Sequence, residues 1–181
     1  MPEGFEGICA AHVTIPSQKV DGDFYEFLPF NGSCLDVMVG DVMAKTGRFA
    51  VRKILPGIIA NREIDFVVAN GENIAGGIVI TPELAKDLFD YGVNVITSGN
   101  HIWRQREIRP YIEKTPALLR PHNFMKGQPG RGFGTFETAA GVPVAVVNLA
   151  GELIRLSEVG EVIYTLCWAS AAATVALAFG K

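Results

Sequence analysis

Apolar positions along this chain fall into short runs separated by polar, glycine-bearing loops, and the spacing inside each run sorts strands from helices. Phe24 to Phe27 and Leu35 to Val39 flank PFNGS, whose Asn31-Gly32 pair tolerates the positive φ of a tight turn. A β-hairpin is predicted there. Beyond Gly47, the residues Phe49, Val51, Ile54, Leu55, Ile58 and Ile59 recur on one helical face with Arg48, Arg52 and Lys53 opposite. Pro56 removes a backbone donor from that helix and predicts a kink or an early end. Ile64 to Ala69 shows little alternation, as in a strand buried on both faces of a parallel sheet. Thr81, Pro82 and Glu83 supply a cap, a first-turn proline and an acidic residue for a helix reaching about Tyr91.

Val93 to Thr97 reads as the next strand, Arg104 to Lys114 as a helix despite Pro110, and Phe133 to Thr138 with Val142 to Leu149 as two strands around Ala140-Gly141. Strand, helix, strand, helix, strand from 35 to 97 predicts right-handed crossovers and an α/β fold with a mostly parallel sheet and flanking helices. At the other end, Val162 to Phe179 runs 18 residues without a charge. That length lies at the lower edge for crossing a bilayer, but half of the run is Ala, Ser and Thr. A C-terminal apolar helix packed on the protein is expected, and membrane contact by the tail is the minority alternative.

Composition narrows the partners. A net charge of -3 without a basic stripe argues against a nucleic-acid duplex and leaves single phosphate groups as ligands. Cys9, Cys34 and Cys167 share no disulfide or metal spacing, and Glu3 and Glu6 stand where a secretory leader would be basic. A cytoplasmic setting is expected from these two features. Homo-oligomerisation is left open.

Ligands of parallel α/β sheets sit beyond the carboxyl ends of the strands, and three polar loops fall at that edge: GDV at 40 to 42, NGEN at 70 to 73 and GNH at 99 to 101. Asp41, Glu72, Asn100 and His101 would meet in one crevice with the carboxylate, amide and imidazole donors that a divalent cation takes. An aspartate after a strand is more often a turn residue or cap, and a single histidine beside Trp103 is more often structural. Agreement among three loops favours a phosphate or metal crevice.

The order and spacing of GDVMAKTGR, DFVVANGENIAGG, ITSGNHIW, LLRPHNF and VPVAVVNLAGE resemble the YmdB-like family of bacterial metallophosphoesterases over about residues 35 to 153. The resemblance implies half of a metallophosphoesterase-like fold, a pair of divalent metals, iron or manganese, and hydrolysis of small phosphoesters of the 2',3'-cyclic-nucleotide class. It implies that Asp41 binds one metal, Glu72 bridges both, Asn73 supports the first, Asn100 binds the second and His101 protonates the leaving oxygen. The family's remaining ligands are histidines in Asp-x-His and His-x-His stretches. This chain has neither, and its histidines are His12, His101 and His122. Two-metal binding and catalysis are therefore expected to be impaired.

Residues 10 to 46, with GDFY and GDV, resemble the opening of the PPM-type serine/threonine phosphatases, which implies metal roles for Asp23 and Asp41. Together the two resemblances suggest a hybrid: an N-terminal hairpin segment (1–34), a partial metallophosphoesterase-like domain (35–153) and an apolar tail (154–181). A PPM-type phosphatase fragment is one alternative. A non-catalytic hybrid binding a phosphate or a single metal ion is the other.

Overall fold

The computed structural model describes residues 11–13, 25–27, 37–42, 44–76, 79–150 and 172–178. A four-stranded parallel sheet has strands in chain order: β3 (Val37–Asp41), β4 (Phe66–Asn70), β5 (Val95–Thr97) and β6 (Leu118–Leu119). Three crossover helices join them: α1 (Ala44–Arg62), α2 (Pro82–Asp90) and α3 (Ile108–Lys114). Parallel strands taken in sequential order with crossovers of one hand place every helix on the same face of the sheet. The core follows that rule, because Leu55 of α1, Leu88 of α2 and Ile112 of α3 pack with Val67, Ala69, Ile96 and Leu118 of the strands.

The alternate strand positions point the other way. Phe66, Val68, Val95 and Leu119 bury themselves against Val144 and Val146 of a second sheet. That sheet is antiparallel and consists of β7 (Phe133–Glu137), β8 (Pro143–Ala150) and β9 (Ala172–Ala178). The result is three layers: helices, parallel sheet, antiparallel sheet. All five residues of β4 are buried, as its unbroken apolar pattern predicts. Burying one such aliphatic side chain contributes about 1.5–3 kcal/mol, so the two faces of β4 anchor both layers.

Several sequence expectations change in detail. Helix α1 does not stop at Pro56 but continues to Arg62 with the proline on an exposed position. Helix α3 begins at Ile108, not Arg104, which brings Pro110 into its first turn, where a missing N–H costs no helical bond. Thr81 caps α2 as expected, its Oγ1 accepting the Leu84 N–H at 3.3 Å. The turn of the hairpin predicted around Asn31-Gly32 lies outside the described residues; of its arms, β2 (Tyr25–Phe27) pairs with β1 (Ala11–Val13) and β3 pairs with β4, and β2 and β3 lie next to each other. The parallel partner β4 takes one edge of β3 over a five-residue register.

The expected apolar helix at the C-terminus is also corrected in part. Ala172–Ala178 forms strand β9, antiparallel to β8 from Val144↔Ala178 to Ala150↔Ala172. Its alanines favour a helix by local propensity, but β8 presents an edge whose backbone groups need partners, and strand preference follows such context. The rest of the predicted helix, 162 to 171, lies outside the described residues. Among the described residues no helix is long and apolar enough to cross a membrane.

Candidate active site at the carboxyl edge of the parallel sheet

Asp41, Asn70, Thr97 and Leu119 form one row across the sheet, each the register partner of the next. All four parallel strands therefore end at the same level, and the chain leaves each into a polar loop. The ladder continues one step further, with Val42 N–H donating to Asn70 O and Gly71 N–H to Thr97 O, both at 2.9 Å.

The loops after β4 and β5 share one construction, a polar residue, glycine, two polar residues and isoleucine: NGENI at 70–74 and SGNHI at 98–102. In each, the isoleucine N–H donates back to the glycine carbonyl at 3.3 Å, Ile74 to Gly71 and Ile102 to Gly99. Both isoleucines are buried in the helix-side core. Each loop is thus a turn pinned at its far end by an aliphatic anchor, which lifts the two intervening polar residues over the strand ends. In the first loop, Asn70 Oδ1 also accepts the Glu72 N–H at 3.0 Å, closing an Asx turn.

Glu72 and His101 meet between the loops. The Glu72 carboxylate is only 3% exposed, and its Oε1 accepts the backbone N–H of His101 at 3.0 Å. The imidazole Nδ1 lies 3.2 Å from the same oxygen, without the alignment of a hydrogen bond. Gly99 makes this approach feasible. A Cβ there would stand 1.9 Å from Glu72 Oε2, far inside van der Waals contact. Burying a carboxylate is costly unless donors face it, and this one takes its donor from the opposite loop.

Asn73 and Asn100 are the sequence neighbours of this pair. Asn100 is exposed, with Nδ2 3.5 Å from His101 Nε2 at the outer limit of hydrogen bonding. Asn73 is half-buried beside Glu72. Asp41 is placed by its backbone at the end of β3, level with Asn70. Asp23 lies outside the described residues.

Two residues to which the sequence assigns no role tie the second loop to its surroundings, Ser98 from within the loop and Asn148 from β8. Ser98 Oγ donates to Leu119 O at 2.8 Å. Asn148 Nδ2 donates to Ser98 O at 2.6 Å and to Leu119 O at 3.0 Å. A lone amide in the apolar run VAVVNLA is the signal that could have found Asn148, because a buried polar group demands partners.

An iron or manganese ion needs about four to six donors, or four for a closed tetrahedral site. Among the described residues, no three His, Cys, Asp or Glu side chains converge to hold one. The described side chains therefore do not by themselves fit the metal pair that the family resemblance implies.

Comparison with known proteins agrees with this architecture. The chain is 38% identical over 115 residues to a 2',3'-cyclic-nucleotide 2'-phosphodiesterase of Bacillus subtilis (strain 168), covering 64% of this chain and 43% of that protein. The crystal structure of a novel phosphatase from Mycoplasma pneumoniae is similar at 29% identity and a TM-score of 0.58, over 67% of this chain and 44% of that one. A hypothetical protein from Thermus thermophilus is similar at 36% identity and a TM-score of 0.54, over 59% of this chain and 41% of that one. The chain spans less than half the length of the curated relatives it matches. The family match begins at residue 37, so most of the PPM-like stretch lies outside it, and nothing in it supports a PPM-type piece or a hybrid. It also runs past Glu152 to residue 166. With residues 37–166 matched to the YmdB-like proteins and the strand-end loops of that match assembled on one sheet edge, the chain belongs to the YmdB-like protein family.

Proposed function

We propose that the carboxyl edge of the parallel sheet is a phosphoester-hydrolase site, working on small phosphoesters of the cyclic-nucleotide kind. The observation that carries this reading is the Glu72 to His101 contact: a carboxylate 3% exposed, held against a histidine that keeps 29% of its side chain open to solvent. Support also comes from the relative named as a cyclic-nucleotide phosphodiesterase.

In this reading Glu72 orients the second loop by accepting the His101 N–H at 3.0 Å. His101, on the rim, donates a proton to the departing ester oxygen. Positioned proton transfer of this kind contributes about 10²- to 10⁴-fold in rate. Asp41, whose backbone ends β3 level with Asn70, and Asn73 and Asn100, next to the pair in sequence, are the further oxygen-bearing residues of this reading. The site is metal-dependent in this proposal, as the resemblance to metallophosphoesterases implies, and impaired, because the described side chains offer fewer donors than two ions require.

The test is hydrolysis of bis(p-nitrophenyl) phosphate by the whole chain with manganese added. Activity is expected in the wild type and a loss of about 100-fold in Glu72→Gln and in His101→Ala. Equal rates in wild type and Glu72→Gln would discard the proposal. A second reading, a non-catalytic module that binds one phosphate or one cation, is favoured by the missing three-donor cluster among the described residues. Calorimetric binding of phosphate by a chain that shows no turnover would select it.

A further inference from the structure

Asn148 sits on β8 in the antiparallel sheet, is 0% exposed, and reaches across the interlayer space to two carbonyls of the parallel layer. Its amide orientation is fixed by chemistry. Both acceptors are carbonyl oxygens, so the NH₂ group must face them. The cost is visible on the other side, where Asn148 Oδ1 is buried without a hydrogen-bond partner among the described residues. The backbone of the same residue is engaged as well: its N–H donates to Gly132 O at 2.9 Å and its carbonyl accepts the His122 N–H at 2.7 Å.

We propose that Asn148 is a positioning residue for the loop that carries Asn100 and His101, acting through the Ser98 carbonyl. The Ser98 carbonyl belongs to the same rigid peptide plane as the Gly99 N–H. Rotation of that plane would swing Gly99 against the Glu72 carboxylate, which already occupies the space of a Gly99 side chain. Holding the plane from the second sheet therefore fixes the distance between Glu72 and His101. The two carbonyls are not equally dependent on Asn148. Leu119 O also accepts from Ser98 Oγ, whereas the side-chain donor to Ser98 O is Asn148 alone among the described residues. Loss of the amide damages the site loop selectively.

This inference uses the site of the proposed hydrolase, yet its test needs no turnover. Amide hydrogen exchange is measured on the whole chain for wild type, Asn148→Ala and Val146→Ala. The last removes a buried apolar group from the same strand and face. In Asn148→Ala, the His101 amide is expected to lose about tenfold more protection than the Val68 amide, the size of one net hydrogen bond. In Val146→Ala both are expected to fall together. A parallel loss at His101 and Val68 in Asn148→Ala would reduce Asn148 to a packing residue and overturn the proposal.

Should Asn148→Ala fail to fold, native-state exchange of the wild type in rising urea decides. The Asn148 side-chain amide protons and the His101 N–H are expected to share one opening transition, and separate transitions would overturn the inference. An inert wild type toward phosphodiesters defeats the hydrolase reading and leaves this one intact.

Discussion

The two strand-end loops, NGENI and SGNHI, are built to one local plan and held by different means. Both turn on a glycine carbonyl, both end on a buried isoleucine, and both lift two polar residues over the sheet edge. The first closes its turn on itself through the Asn70 side chain, and Arg48 of α1 donates to the Ile74 carbonyl at its far end. The second takes its restraints from other parts of the chain: Glu72 on its His101 amide, and Asn148 of the antiparallel sheet on its Ser98 carbonyl. The glycines differ in the same sense. A methyl on Gly71 would meet Ile80 Cδ1 at 2.9 Å and Ile96 Cγ2 at 3.0 Å, which are hydrocarbon ends in the core, whereas on Gly99 it would meet the buried carboxylate. A turn closed by its own side chain, as at Asn70, can be specified locally even where a distant arginine secures its end. A loop restrained from outside carries the geometry of whatever holds it, which suits the side of the site that must be set against Glu72.

Gly99→Ala should break the comparison most severely. The buried carboxylate has to leave its place and give up the His101 amide, at a cost of about 3 kcal/mol in urea unfolding, with any phosphodiesterase activity abolished. Asn70→Ala removes the internal closure of the first loop and leaves the buried Glu72 N–H without that partner. A loss of about 2 kcal/mol is expected by the same measurement. Gly71→Ala meets only the ends of aliphatic side chains that can shift by a few tenths of an ångström, so about 1 kcal/mol is expected, with activity retained. If Gly71→Ala proved as damaging as Gly99→Ala, the functional difference between the glycines would have to be abandoned. At the small end stands Lys86, whose pKa is raised chiefly by its hydrogen bond to Asp90 on the exposed face of α2. A raised pKa contributes only below the ordinary lysine range and is lost above it. Across pH 5 to 8, Lys86→Ala should therefore shift the melting temperature evenly and by very little.

Much of this plan is readable along the chain. The buried strand around Val67 and Val68, the Thr81 cap of α2, and the gathering of GDV, NGEN and GNH at one edge follow from unbroken apolar runs and the crossover rule. Strand β6 was not readable, because Leu118 and Leu119 are two residues without a pattern of their own and become a strand only beside β5. The tail misleads for the opposite reason. Its alanines carry a local preference for helix, and Ala172–Ala178 nonetheless pairs with β8.

Sequence alone determined the identity of the loops, the direction in which the parallel strands deliver them, and the residues Glu72 and His101 that meet there, because apolar period, glycine and cap signals act over a few neighbouring residues. Only the tertiary structure decided that Asn148 reaches 50 positions back to Ser98, that Gly99 makes room for a carboxylate, and that a run of alanines becomes a strand. Those outcomes depend on which buried polar groups and which free sheet edge come to lie side by side, and contacts between distant segments leave no period in the chain.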